Sequence, residues 1–505
     1  MSFCSIEFFI FLPIVSILYY VIPTNTRVNY RSIWLLITSY FFYMSWNPKY
    51  AVLILFSTVI TYYCGIVIEK INYVNDNEKK ERVIQKNACL IICIILNLSI
   101  LLIFKYGNFF LSNISIVLNR IGISFTSPTI DLLLPVGISF YTFQALGYTI
   151  DVYRKDIHAE DSFIQYALFV SFFPQLVAGP IERSGNLIKQ LREPHCFDAD
   201  KVRDGLLLML YGYFMKLVIA DRIAIFVDTV YANYGEYRGW YLIVATVLFG
   251  IQIYCDFNGY TLIARGAAKI MGFELMENFD APYFASTVSE FWKRWHISLT
   301  SWFRDYLYIP LGGNRCGKLR KYINIIIVFG VSGLWHGANW TFVVWGLLNG
   351  VYQIIGSVLK PIKDQIISTL KLNRGSLGHR LLQVIITFIL VDFSWLFFRA
   401  NSISDALRIV KSIFHSNNFW VLVDHESLFK CGLDRYDFGV LIVSISVLAF
   451  FDLLKVNRIN IARDILYKQD LWFRWGVYIA GFLFVLVFGV WGSQYVNTAF
   501  LYFQF

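Results

Sequence analysis

His336 is the residue of this chain best suited to chemistry, because it stands inside the apolar run 332–340 between Trp335 and Gly337. An ionisable side chain at membrane depth is costly to bury and usually serves a function. A neutral imidazole takes a proton from a hydroxyl group readily, so His336 is a candidate general base. The alternative is a buried histidine that only ties helices together. The neighbouring glycines and tryptophans favour catalysis, with Trp335 as a supporting residue.

Asn339 is a second supporting candidate, since it follows His336 by three residues. On a continuous helix, residues three apart lie on the same face. The sequence therefore predicts that the amide of Asn339 lies beside the imidazole of His336.

The stretch 292–321 carries seven basic residues against one acid, Asp305. Cations at this density suit the phosphates of a donor, and the intervening tryptophans and tyrosines suit stacking on a base. The candidate phosphate contacts are Lys293, Arg294, Arg304 and Arg315. The alternative is an interfacial segment with its cations at head-group level. Residue types alone do not separate the two interpretations.

The same stretch contains a misleading motif, because Gly312 to Lys318 has the spacing of a phosphate-binding loop. The next residue is Leu319, where such a loop needs Ser or Thr to hold magnesium. An ATPase is therefore rejected. The sequence shows no H-E-x-x-H motif and no cluster of aspartates, so no metal site is predicted and a histidine base is the economical chemistry.

Residues 256–260, Asp256-Phe257-Asn258-Gly259-Tyr260, follow an apolar run. The favoured interpretation is a turn whose Asp or Asn caps a following helix over 262–271. The sharper hypothesis makes Asp256 part of a polar floor beside the active histidine. Asp256 is therefore a further supporting candidate.

The elements that must position these residues are transmembrane helices. The chain of 505 residues is 57% hydrophobic, 18% aromatic and 15% charged, with a mean hydropathy of +0.56. Soluble domains carry about 25% charged residues, so a polytopic membrane protein is indicated. The apolar segments that predict helices are 6–22, 33–46, 50–69, 88–104, 132–150, 163–178, 206–230, 240–254, 323–331, 340–358, 381–398, 438–454 and 474–491.

Several of these segments contain helix breakers, namely Pro135 with Gly137, Pro174, and Gly330 with Gly333. Non-helical backbone at membrane depth is tolerated only where it is buried in protein or lines a cavity. Broken or re-entrant helices are therefore predicted. No internal repeat is visible, so residues 1–505 are expected to form one integral-membrane domain.

The net charge of +10 comes from basic residues between the apolar spans rather than along one soluble face. This distribution argues against nucleic-acid binding and follows the positive-inside rule. The loops that hold Arg27 with Arg31, the segment 70–86 and the segment 455–468 are predicted to be cytoplasmic. Both termini would then lie outside.

Taken together, these motifs resemble the membrane-bound O-acyltransferase family of bacteria. The resemblance rests on residues 6–9, 134–144, 173–181, 256–260, 291–296 and 334–338. The two most specific motifs are Trp292-Lys293-Arg294-Trp295-His296 and Leu334-Trp335-His336-Gly337-Ala338. In the family the histidine of the second motif is catalytic, and that of the first is a second important residue. The resemblance therefore implies catalytic roles for His336 and His296.

The resemblance also implies an all-α helical bundle around a central funnel, with His336 at its floor. It implies transfer of an acyl group from a cytoplasmic donor to an acceptor presented outside. The chain is most similar to the branch that contains the alginate O-acetylation protein and the D-alanyl transfer protein of teichoic acid synthesis. Length favours the acetylation branch. Such proteins usually work with a separate extracytoplasmic SGNH-type acetyltransferase or esterase.

The sequence thus predicts an O-acetyltransferase of the bacterial inner membrane, surrounded by membrane lipid. It would use acetyl-CoA as a substrate, with no bound cofactor, and modify an exported polysaccharide or cell-wall polymer directly or through the partner. Two alternatives remain, a D-alanyl transferase of the same family and a proton-coupled transporter. A transporter would more often show internal repeats with paired broken helices.

Overall fold

The computed structural model describes residues 1–23, 29–73, 79–128, 135–177, 179–424 and 426–491. All regular secondary structure in these ranges is helical, which confirms the predicted all-α class. Contacts divide the chain into two compact units. The first comprises Met1–Met209 and Ile263–Met276, and the second comprises Leu210–Leu262 and Glu277–Phe505. The single domain over residues 1–505 stays a prediction.

Helices occur along the whole described part of the chain. The first ten are α1 (Ile6–Val21), α2 (Tyr30–Met44), α3 (Tyr50–Tyr73), α4 (Lys79–Leu101), α5 (Gly107–Arg120), α6 (Ile138–Arg154), α7 (Phe163–Ser171), α8 (Phe173–Leu176), α9 (Ser184–Arg192) and α10 (Ala199–Tyr213). The others are α11 (Asp221–Ala232), α12 (Trp240–Ile270), α13 (Val288–Arg294), α14 (Ile297–Phe303), α15 (Gly317–His336), α16 (Trp340–Thr369), α17 (Leu377–Arg399), α18 (Ile403–His415), α19 (Arg435–Val456) and α20 (Leu471–Phe488).

Among the described residues, seven helical stretches are long and apolar enough to cross a membrane, which makes this a multi-pass membrane protein. They are Tyr50–Asn72, Glu81–Arg120, Trp240–Ile270, Trp340–Thr369, Leu377–Arg399, Arg435–Val456 and Leu471–Phe488. The predicted apolar segment 206–230 is divided in the structure. Its centre is a π-helical segment, Phe214–Ala220, between α10 and α11. Which side each loop faces stays a prediction, and Arg27 lies outside the described residues.

In the first unit, the predicted break at Pro174 is confirmed. The chain leaves α7 at Phe172, whose backbone is not helical, and α8 starts again with Pro174 in its first turn. Gly137, at the start of α6, adopts a left-handed backbone with φ of 74°. A Cβ there would lie 2.5 Å from the carbonyl oxygen of Leu176, so glycine permits this close approach.

In the second unit, the break predicted at Gly330 and Gly333 is wrong, because α15 runs through both glycines. The glycines instead belong to the close packing of α15 against α16. A Cβ on Gly333 would overlap the carbonyl oxygen of Phe342, and one on Gly346 would overlap that of Phe329. The backbones of an antiparallel hairpin therefore touch, as small residues permit in membrane helices.

Replacing Gly346 by Ala is expected to destabilise the protein, because the new methyl group overlaps the Phe329 carbonyl oxygen. Overpacking of this kind costs about 1–3 kcal/mol. The measurement is thermal unfolding of the purified protein, followed by tryptophan fluorescence.

Gly356 offers a matched control on the same helix, since a Cβ there would meet no atom within 4 Å. Ala is about 0.5–1 kcal/mol more favourable than Gly inside a helix, so Gly356→Ala should leave stability unchanged or raised. Equal melting temperatures for the two variants would contradict the packing argument.

Candidate active site

His336 is the last residue of α15, and Gly337 follows it in an extended conformation. The side chain of His336 is buried. The imidazole stands perpendicular to the ring of Trp345 on α16, with 5.0 Å between centroids, and 5.6 Å from the ring of Phe398 on α17. Aromatic side chains from two membrane spans therefore fix its place.

His296 lies between α13 and α14, outside the membrane-spanning stretches, in a left-handed conformation with φ of 44°. Such a backbone is uncommon for a residue other than glycine and is often found at functional sites. The chain after it is held by Asn278, whose carbonyl oxygen accepts from the N–H of Ile297 at 2.9 Å. The side-chain oxygen of Asn278 accepts from the N–H of Ser298 at 3.2 Å.

The imidazole of His296 is completely buried and packs edge-on against Phe257 of α12, with 4.6 Å between ring centroids. Burial lowers the pKa of His296 to about 3, because a charged imidazole is disfavoured away from water. His296 is therefore neutral at physiological pH.

The structure brings the two histidines together, with ring centroids 6.5 Å apart. Trp335 contacts both, at 6.0 Å from His296 and 5.0 Å from His336. Two imidazoles from separate parts of the chain thus share one aromatic environment. Their catalytic roles, and the supporting role of Trp335, stay predictions.

Tryptophans form a wall around this pair. Trp345 and Trp395 stack at 5.4 Å, and Trp295 lies 5.0 Å from Trp395. The sequence did not single out Trp345 or Phe398 as site residues. An aromatic residue on a membrane helix gives no signal of which neighbour it will contact.

Asn349 gave a signal that the sequence interpretation missed, since a lone amide in an apolar span is rarely idle. Its side-chain nitrogen donates to the Trp345 carbonyl oxygen at 2.9 Å and to Ser394 at 3.1 Å. Its side-chain oxygen accepts from the indole N–H of Trp292 at 3.3 Å. One amide therefore ties α13, α16 and α17 together around the histidines.

Asp256 does not lie in a turn, so the capping interpretation is wrong. The long helix α12 runs without interruption through residues 256–260, because tertiary contacts override the local turn signal. The carboxylate of Asp256 is buried and accepts from the ammonium group of Lys216 at 2.5 Å. Its supporting role stays a prediction.

Asn339 does not share a helical face with His336, and that expectation is wrong, since α15 ends at His336. Asn339 caps the next helix instead. Its oxygen accepts from the N–H of Thr341 at 3.1 Å, and its nitrogen donates to the carbonyl oxygen of Asn401 at 2.9 Å. A supporting role for Asn339 remains untested.

Two of the four candidate phosphate contacts already bind a carboxylate, and two do not. Arg294 binds the Glu290 carboxylate at 2.7 Å, and Arg304 binds that of Asp305 at 2.8 Å. Lys293 and Arg315 are exposed, and their side chains pair with no acid in the part of the chain that the structure describes. Lys293 and Arg315 are therefore better placed to bind a ligand than Arg294 and Arg304.

Comparison with known proteins identifies relatives of this chain. A model of the membrane-bound O-acyltransferase family matches residues 154–368, which include both histidines. The probable alginate O-acetylase of Pseudomonas aeruginosa is 36% identical over 89% of this chain and 81% of its own. The peptidoglycan O-acetyltransferase of Helicobacter pylori is 32% identical over 80% and 78%. The teichoic acid D-alanyltransferase of Streptococcus thermophilus is 30% identical over 57% and 75%.

Replacing His296 by Gln is expected to reduce the loss of stability at low pH. The histidine of the unfolded chain takes up a proton near its ordinary pKa of about 6.5, whereas the folded one stays neutral down to about 3. Its contribution to stability is therefore complete above pH 6.5. It declines as the pH falls, by about 1.4 kcal/mol per pH unit.

Thermal unfolding of the wild type and of His296→Gln between pH 5 and pH 7.5 measures this difference in slope. His415 is exposed on α18, so His415→Gln is the control and should keep the wild-type slope. The same slope in all three proteins would contradict the neutral, buried state of His296.

Proposed function

Because the chain belongs to the membrane-bound O-acyltransferase family, we propose that it acetylates an exported polysaccharide or cell-wall polymer with acetyl-CoA as the donor. Family membership confirms the resemblance seen in the motifs and makes the protein an O-acyltransferase of the bacterial inner membrane. The choice of acetyl is supported by the extent of the similarity. The probable alginate O-acetylase and the peptidoglycan O-acetyltransferase match 89% and 80% of the chain, against 57% for the D-alanyltransferase.

The observation that carries the mechanism is the pair of buried histidines, 6.5 Å apart in an aromatic enclosure. In the proposed reaction the neutral imidazole of His336 removes the proton of an acceptor hydroxyl group. The hydroxyl oxygen attacks the carbonyl carbon of the thioester, and the carbon–sulfur bond then breaks. A thiol has a pKa of about 8.5, so the thiolate leaves more easily than an alkoxide and takes the proton back from His336.

His296 is the proposed donor of a hydrogen bond to the thioester carbonyl oxygen. A neutral imidazole carries one N–H and can donate it where negative charge develops. Asn339 is less suited to this task, since both ends of its amide already bind backbone groups of Thr341 and Asn401.

The diphosphate of the donor is proposed to dock on the basic residues of 293–315. Lys293 and Arg315 have the larger share, because Arg294 and Arg304 already bind carboxylates. Phosphate cannot enter hydrocarbon, so this surface must meet the cytosol. A separate extracytoplasmic SGNH-type protein is the proposed partner that completes transfer to the polymer.

The test of the reaction is the chemical identity of the esters on the cell's polymers, with and without this gene. Acetate esters that vanish with the gene support the proposal. Loss of D-alanine esters would establish the alternative donor, a carrier-protein thioester. Unchanged esters of both kinds would leave the chain without this function.

Replacing His336 by Ala is expected to lower the rate of acetyl transfer by about 10²–10⁴-fold, the usual contribution of a general base. The measurement is transfer of labelled acetyl groups by purified protein.

The matched control for this variant is His415→Ala, since His415 is exposed on α18. It should retain wild-type activity. A well-folded His336→Ala protein with the wild-type rate would refute the assignment.

Replacing Arg315 by Gln is expected to weaken acetyl-CoA binding more than it slows turnover once the donor is bound. Arg304→Gln should have the smaller effect, because Arg304 is already paired with Asp305. The effect should shrink as salt rises, since the Debye length is about 8 Å at physiological ionic strength.

A titration of acetyl-CoA on the purified protein at two salt concentrations measures both variants. If both bind the donor as the wild type does, the basic residues only anchor the protein at the membrane surface.

A further inference from the structure

The motif 256–260 has a structural purpose that the proposed reaction leaves open. Four of its residues contact the segment 212–216, where α10 passes into the π-helical segment Phe214–Ala220. The contacts are Asp256 with Lys216 at 2.5 Å, Asn258 with the Met215 sulfur at 3.6 Å, Gly259 against the Gly212 carbonyl oxygen, and the ring of Tyr260 under the Lys216 ammonium at 5.4 Å. The motif therefore packs α12 against the short segment 212–216.

Gly259 is needed for this approach. A Cβ at that position would lie 2.9 Å from the carbonyl oxygen of Gly212 and 3.2 Å from the backbone of Lys216. A methyl group would push α12 away from the segment. π-helical turns are rare in proteins and are frequently found at functional sites.

The centre of the docking is electrostatic. The ammonium group of Lys216 lies 2.5 Å from Asp256 and 2.7 Å from Asp221, and all three side chains are buried. Where water is excluded, removing the ammonium group of Lys216 would leave two buried carboxylates without this cation, which is costly. Lys216 and Asp256 therefore fix where this part of α12 lies.

The remaining residue of the motif, Phe257, faces His296. Phe257 follows Asp256, and its ring stands at 83° to that of His296 with 4.6 Å between centroids. Successive helix residues point in directions about 100° apart. Asp256 and Phe257 are consecutive residues of α12. A displacement of the carboxylate that binds Lys216 would therefore also displace the ring that contacts His296.

We propose that Lys216 is a positioning residue, which holds α12 through Asp256 so that Phe257 sets the imidazole of His296 beside His336. The inference rests on the proposed function, because it is that function which gives the orientation of His296 a catalytic consequence. Lys216 touches neither donor nor acceptor in this scheme.

Two substitutions separate positioning from charge balance. Asp256→Ala and Asp221→Ala each remove one carboxylate from the same ammonium group and leave the other. Only Asp256 belongs to the helix that carries Phe257. Asp256→Ala should lower kcat by up to about 100-fold, the effect of a displacement of about 1 Å at a reacting group, with KM for acetyl-CoA nearly unchanged. Asp221→Ala should lower kcat far less.

Two further comparisons sharpen the test. Lys216→Arg should keep more activity than Lys216→Met, because the cation is retained. Asp256→Ala combined with Phe257→Ala should be little slower than Phe257→Ala alone, since residues that act along one route are not additive. Should Asp256→Ala fail to fold, Asp256→Asn and Asp221→Asn replace the two alanine variants. Each removes one negative charge and keeps an oxygen that accepts from Lys216, and Asp256→Asn should still lower kcat more than Asp221→Asn.

Hydrogen exchange of the full-length purified protein gives a readout that needs no activity. Asp256→Ala should raise exchange at residues 296–298, and Asp221→Ala should leave it near the wild-type level. If the wild type transfers no acetyl group, the proposed function fails while the exchange result still decides the positioning. Equal effects of the two variants on both kcat and exchange would overturn the role of Lys216.

Discussion

The close contact of α15 with α16 is the constraint on which the rest of the site depends. Gly333 and Gly346 let the two backbones touch, so the end of α15 lies directly against α16. That is why the last residue of α15, His336, meets the ring of Trp345 at 5.0 Å. A larger residue at either glycine would move the histidine relative to the wall that holds it.

In the second unit, polar side chains connect helices through hydrogen bonds and ion pairs. Asn349 binds groups from three helices, and Lys216 binds two carboxylates. A polar group that is buried without partners costs free energy, so each of these contacts also restricts how its helices can move. The aromatic side chains supply buried apolar area around the histidines. The few polar contacts are directional and fix how the helices are oriented.

The sequence singled out His336 because an ionisable residue in an apolar segment is rare and costly, and His296 only through the family motif. The structure places the two rings 6.5 Å apart, while their catalytic roles stay predictions. The interpretations of Asp256 and Asn339 were wrong for one common reason. Rules of local spacing cannot show where a helix ends. Gly337 ends α15 before Asn339 is reached, whereas the turn-like residues 256–260 are overridden by contacts with a segment some forty residues earlier. Trp345 and Phe398 could not have been predicted, because an aromatic residue against a histidine looks the same in sequence as one against lipid.

Burial of the histidines also suits the chemistry proposed for them. Burial lowers the pKa of His296 to about 3, which favours the neutral imidazole that the proposed hydrogen bond to the thioester requires. In the proposed transfer the proton leaves the hydroxyl group, rests on His336 and ends on the thiol. The two histidines are therefore neutral before and after each turnover, and the enclosure holds separated charges only while the proton is on His336. Fixed dipoles act more strongly there than they would in water. An aromatic enclosure that would be a poor place for a permanent ion is thus well suited to an acyl transfer that begins and ends without one.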